Sequence, residues 1–190
     1  RRRFRLRRTM MLASLRGVLE TEFMSDQKPA AVAHSGVQID DPELAAEFAK
    51  LKGVFAPQTS AIGLRVTRIE RGKAWSQVDW REDLVGDAET NVIAGGVLTT
   101  MLDSTCGAAC QAALGKLTAM ATLDLRIDYM RPAEPHRVVH SMAHCYKVTR
   151  SICFVRGVAY HDDPEDPIAT AAATFMLTGE ESNGPEVAVA

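Results

Sequence analysis

No apolar run in this chain approaches the roughly 20 residues that a membrane-spanning helix requires, so no span is expected. Chemical signatures are equally sparse. There is no Gly-x-Ser-x-Gly elbow to expose a nucleophilic serine. There is no phosphate loop of the form Gly-x-x-x-x-Gly-Lys and no dinucleotide fingerprint, and no cofactor is expected. The four cysteines, Cys106, Cys110, Cys145 and Cys153, form no Cys-x-x-Cys pair. Lying inside apolar elements, they read as reduced packing residues of a cytoplasmic protein. No internal repeat is visible.

What is present suits one domain with a sizeable core: 190 residues, 46% hydrophobic and 24% charged. The formal net charge of −2 hides an asymmetry. Residues 1–23 carry seven Arg and two Glu, whereas the remainder carries 15 basic and 22 acidic side chains. An acidic body argues against nucleic acid as the main partner. The basic stretch reads either as an arm or targeting peptide, or as residues preceding a true start at Met24; the second reading is preferred. Residues 1–40 are therefore treated as an N-terminal extension outside the domain.

His136, His140 and His144 recur every fourth residue, which on a helix would make a metal face. Val138, Val139 and Tyr146 make the segment a strand instead, where residues four apart stand about 13 Å from each other. No metal site is expected.

The stretch that organises the chain is 91–115. From Gly95 it reads as one helix, small or apolar almost all round, the pattern of burial on every side. Gly115 stands at its C-terminal stop. Its single ionisable side chain is Asp103, with Thr99, Thr100, Cys106 and Gly107 three and four positions away and so no partner on its own helix. A carboxylate in such surroundings is a candidate for chemistry. Gly95 and Gly96 leave the first helical amides bare, and the helix dipole adds roughly half a positive charge there, which suits a carbonyl oxygen becoming an oxyanion. Eight residues separate Gly95 from Asp103, about 12 Å along one helix. A single carbonyl reaches both only if a second copy lies antiparallel across a two-fold axis, which predicts a homodimer with two composite sites.

Around this helix the periodicities are simple. Asp41-Pro42-Glu43 starts an amphipathic helix carrying Leu44, Phe48, Leu51 and Phe55, closed by Gly53 and Pro57. A strand is expected from Ala61, then a turn at Arg71-Gly72-Lys73 and a strand over 74–80. Strands over 118–130, 138–148, 151–160 and 168–178 follow the helix. In the first of these Leu123, Leu125, Ile127 and Tyr129 share one face, and Thr122, Asp124, Arg126 and Asp128 the other. Residues 179–190 read as a frayed tail. The order predicts an α+β domain over 41–178, one antiparallel sheet curled around one long central helix. Six basic side chains against Asp128 and Glu134 fall in 126–156. Arg131 and Arg150, near strand ends, are the candidates for holding a phosphorylated ligand.

The run Ala94-Gly95-Gly96-Val97-Leu98-Thr99-Thr100-Met101-Leu102-Asp103 resembles the His-Gly-Gly…Asp signature of the PaaI-like acyl-CoA thioesterases of the hot-dog fold. Leu125-Arg126-Ile127-Asp128-Tyr129-Met130-Arg131-Pro132-Ala133 resembles the strand that follows it. The likeness covers roughly 42–178. It implies hydrolysis of an acyl-CoA thioester by a homodimer, or a dimer of dimers, with antiparallel helices. Asp103 would be the general base or nucleophile, Gly95 the oxyanion amide, and Thr122 the hydroxyl that places water. Gly96 and Asn91 would contact substrate. Two positions depart from the pattern: Ala94 replaces the family's His, and Ala88 stands where an Asn is usual, with Asn91 nearby as a substitute. These departures motivate an alternative, a non-catalytic acyl-CoA-binding module. A hot-dog dehydratase normally needs an Asp–His pair, and no His lies near Asp103 in sequence.

Overall fold

The computed structural model describes residues 36–51, 56–178 and 187–188, which lie in one compact unit. The basic arm, Phe55 and most of the tail fall outside them. Asp41 caps helix α1 (Pro42–Ala49), accepting the amides of Glu43 at 2.9 Å and Leu44 at 3.2 Å. Those bonds, the one from Leu44 foremost, hold its carboxyl below the ordinary aspartate range. Leu44 anchors the helix in the core, but α1 stops at Ala49 rather than continuing towards Phe55.

The strand expected from Ala61 begins later. Pro57 starts a short helix instead, α2 (Pro57–Ala61), and Gly63 turns the chain with φ 69°. Strand β2 (Arg65–Glu70) follows, with β1 (Gln38–Ile39) alongside and the turn at Gly72 leading into β3 (Lys73–Val78). The loop to the central helix holds a 3-10 turn at Glu82–Leu84 and a separate hairpin, β4 (Val85–Asp87) and β5 (Val92–Ile93). Helix α3 (Gly95–Leu114) ends at left-handed Gly115. Then come β6 (Met120–Tyr129), β7 (Val139–Val148), β8 (Ile152–Tyr160) and β9 (Ala169–Leu177). A short β10 (Val187–Ala188) pairs with the end of β7.

The main sheet has the order β1-β2-β3-β7-β8-β9-β6. It is antiparallel apart from β1, which runs parallel to β2, a departure from the wholly antiparallel expectation. Strand β6 pairs with β9 and forms the sheet's edge. With α3 packed on the sheet, the architecture is α+β and of the hot-dog type. Among the described residues no helix is long and apolar enough to cross a membrane.

Alternation along β7, β8 and β9 puts small side chains beneath the helix: Ala143, Ala159, Ala171 and Ala173 are buried. The helix therefore rides close. A Cβ on Gly157 of β8 would come within 3.1 Å of Cys106 Sγ. Val97, Leu98, Met101, Leu102, Cys106, Ala109 and Cys110 form the buried stripe of α3. Burial on every side does not follow. Gly95 and Gly96 are exposed, and Thr100, Asp103, Ser104, Ala108 and Gln111 are half-buried. Small residues permit close approach whether or not anything in the same protomer covers them, so this face is open within one protomer.

One polar cluster ties α3 to the sheet. Thr105 Oγ1, Ser76 Oγ and Ser141 Oγ lie 2.7–2.8 Å from each other, all buried, and Thr105 also donates to the Met101 carbonyl at 2.7 Å. Each hydroxyl is the others' partner, so removing one strands a buried group. Ser141→Ala is expected to cost about 1–3 kcal/mol in urea unfolding. An unchanged midpoint and slope would show that the cluster contributes nothing to stability.

Candidate active site

The site is built from the open face of α3 and the edge strand β6. Strict alternation assigns Thr122 to the outer face with Asp124, Arg126 and Asp128, and Leu123 to the core. A β-bulge reverses both. Thr122 pairs with Phe175 and Asp124 with Thr174, leaving Leu123 as the extra residue, 51% exposed. Phe175 faces inward and is buried, so its partner Thr122 faces the helix too. The result is a hydrogen bond: Thr122 Oγ1 donates to Asp103 Oδ1 at 2.9 Å. This bond leaves Oδ2 available.

At the helix start, Ala94 occupies the N-cap position with φ −58° and ψ 136° and makes no side-chain cap bond. Its own amide is held by the Leu84 carbonyl at 2.9 Å, and its carbonyl accepts from Val97. The amides of Gly95 and Gly96 lie between, at the positive end of the dipole. Nothing lies within 4 Å of a Cβ built on Gly96, so a ligand can approach that backbone closely.

Alternation puts Tyr129, at the far end of β6, on the core face. The register keeps it on that helix-facing side, paired with buried Ala169, but beyond the core it is 53% exposed, with its hydroxyl over this first turn. It donates to the Gly95 carbonyl at 2.9 Å and lies 2.9 Å from Thr99 Oγ1, which also donates to Gly95 at 3.1 Å. Drawing charge onto that carbonyl polarises the peptide it shares with the Gly96 amide. Alternation and its place in the motif strand put Tyr129 on this side; neither signals its bond to Gly95. Both ends of β6 thus address α3, Thr122 at Asp103 and Tyr129 at Gly95.

The remaining candidates are scattered. Asn91 sits exposed in the hairpin turn with φ 57°; its amide bonds the Asp87 carbonyl at 2.8 Å and its carbonyl accepts the Trp80 indole at 3.0 Å. Arg131 follows β6 at the Gly95 end and pairs with Asp166 at 2.9 Å. Arg150 lies on the exposed turn between β7 and β8, next to the opposite end of β6: the neighbouring Ile152 pairs with Met176, which pairs with Ala121. Within one protomer the two arginines do not converge.

Burial first, and the Asp103 charge second, push the Cys106 thiol up to about 12, so it stays protonated at neutral pH and is no nucleophile. Cys110, Cys145 and Cys153, distant in sequence, bring their Sγ atoms within 4.8 Å of one another, a donor set that no spacing predicts. All three are buried in the apolar core, where ionised thiolates would be costly. His136 lies against Trp80 at 4.0 Å between centroids with the rings tilted by 53°, and His140 lies against Tyr160 at 5.9 Å.

Comparison with known proteins speaks to the family and the fold. The family model of the thioesterase superfamily matches residues 90–168, the span holding α3, β6 and the bulge. A Pseudomonas aeruginosa protein of known structure is 36% identical, with 70% of this chain and 96% of that one covered and a TM-score of 0.59. The chain belongs to the thioesterase superfamily. The medium/long-chain acyl-CoA thioesterase YigI of Salmonella typhimurium is 27% identical over 134 residues, covering 64% of this thioesterase-superfamily chain and 85% of that protein. A mutant form of the phenylacetic acid degradation protein PaaI of Thermus thermophilus is 23% identical with a TM-score of 0.57; the match covers 64% of this chain and 99% of that one, and speaks to the fold.

Proposed function

We propose that this protein hydrolyses acyl-CoA thioesters as a homodimer with two composite sites. The thioester carbonyl lies at the Gly95 and Gly96 amides of one protomer. Asp103 of the other activates water, with Thr122 holding one carboxylate oxygen so that the second points at the attacking molecule. The single observation that carries this reading is the Thr122–Asp103 bond on the open face of the helix, on the same helix as two bare amides about 12 Å away. The unpaired edge of β6, with Leu123, Tyr129 and Met130 exposed at 51%, 53% and 63%, supports a second copy docking there. The names of the YigI relatives support a medium- or long-chain acyl group. Four free thiols support a reducing compartment, the cytoplasm.

The carboxylate must act as a base, so removing its charge without changing its shape is the direct test. Asp103→Asn is expected to remain a dimer and to lose about 10²–10⁴ in thiol release from acyl-CoA. Unchanged turnover would dismiss Asp103 from the chemistry.

Ala94 favours a second reading, a module that binds acyl-CoA without turning it over. Its methyl group makes no cap bond where the family carries a His. Under the hydrolytic reading the bare amides suffice, and Ala94→His raises the rate by less than about tenfold, well below the roughly 10²–10⁴ that a needed acid or base supplies. A rise of about 10³ from a wild type near the uncatalysed rate would favour the binding module.

A further inference from the structure

A cavity of ≈ 280 Å³ lies between α3 and the segment holding α1, α2 and β2. Its α3 wall is Ser104, Ala108 and Gln111, one stripe at i, i+4 and i+7; facing it are Phe48, Leu64 and Val66. No lining residue is ionisable. Of the three polar side chains on the wall, Gln111 and Thr59 are engaged in local bonds, and Ser104 adds a single hydroxyl at the end nearest Asp103. The Gln111 amide donates to the Thr118 carbonyl and accepts the Thr118 amide, both at 2.8 Å, and Thr59 Oγ1 donates to the Ala56 carbonyl at 2.7 Å. With no charged group and one hydroxyl at its mouth, the space is largely apolar and unsuited to phosphate or carboxylate.

Its placement matters more than its size. Ser104 is the residue after Asp103, so the stripe begins at the level of the acid. It then runs about 10 Å towards the C-terminal end of α3, away from Gly95. One turn the other way, Gln58 Nε2 of α2 bonds Thr100 Oγ1 at 3.1 Å, so the stripe turns polar at that end.

We infer that this cavity is the subsite for the alkyl tail of the acyl group, and that Ala108 sets the chain length it accepts. The inference rests on the acyl-CoA reading above. A carbonyl beside Asp103 projects its tail past Ser104 into the stripe. The volume holds on the order of ten methylene-sized groups at ~30 Å³ each. Each methylene that leaves water strengthens transition-state binding by about fourfold until the space is filled.

The test is a straight-chain acyl-CoA series from four to sixteen carbons, with kcat/KM from thiol release and Kd from calorimetry, on wild type and Ala108→Leu. Wild type is expected to gain about fourfold per methylene and to level off near ten carbons. In Ala108→Leu the twelve-carbon to four-carbon ratio is expected to fall at least tenfold. Circular dichroism and melting temperature establish that the variant is folded; if it is not, Ala108→Val replaces it. A folded variant with the wild-type length profile overturns the assignment. If wild type hydrolyses no acyl-CoA, the catalytic reading fails separately. The subsite is then judged on Kd alone, which must tighten with length in wild type and not in the variant; a flat series overturns it.

Discussion

A single extra residue in β6 sets up the candidate site. Without the bulge at Leu123, strand alternation would turn Thr122 away from α3 and the only carboxylate on the helix would lack its hydroxyl partner. With it, an edge strand presents both a hydroxyl to Asp103 and, further along, Tyr129 to the first turn of the helix. Bulges re-aim side chains at the cost of local ladder bonds, and here the residue thrown outward, Leu123, adds to the apolar edge available to a second copy.

The close seat of α3 serves the same end. Alanines and Gly157 beneath it let the helix lie near the sheet, and the Thr105–Ser76–Ser141 cluster fixes it in rotation. A helix held this way keeps its bare N-terminal amides and its acid in fixed relation without any side-chain cap. That matters where Ala94 contributes no polar group: orientation then comes from the backbone, through the Leu84 carbonyl and the hairpin that Trp80 ties down at Asn91.

Much of the fold is legible in the sequence because the signals are local. The Asp41 cap, the glycine stop at 115 and the alternation in β7 to β9 are nearest-neighbour patterns, and the motif around Gly95 and Asp103 sits inside one helix. What escapes is non-local. Alternation cannot reveal a bulge, so it assigns Thr122 and Leu123 to each other's faces. Composition cannot separate a helix buried on all sides within its own protomer from one with a face left half-open there, so it makes Asp103 look enclosed by its own chain. The hydroxyl cluster and the three converging thiols each join elements far apart in the chain, and no spacing rule brings such residues together. Arg131 and Arg150 share a basic stretch of sequence, yet they sit by opposite ends of β6.

The central claim is that each site takes its acid from one protomer and its amides from the other. Gly95→Pro removes the first helical amide while suiting the helix: Pro is favoured at that position, and Ala94 already has the extended conformation that precedes a proline. Asp103→Asn and Gly95→Pro proteins should each be inactive alone. Unfolded together in equal amounts and refolded, they form mixed dimers in which one site holds both intact groups, restoring about a quarter of wild-type thiol release. A mixture as inactive as its parents would contradict the composite site.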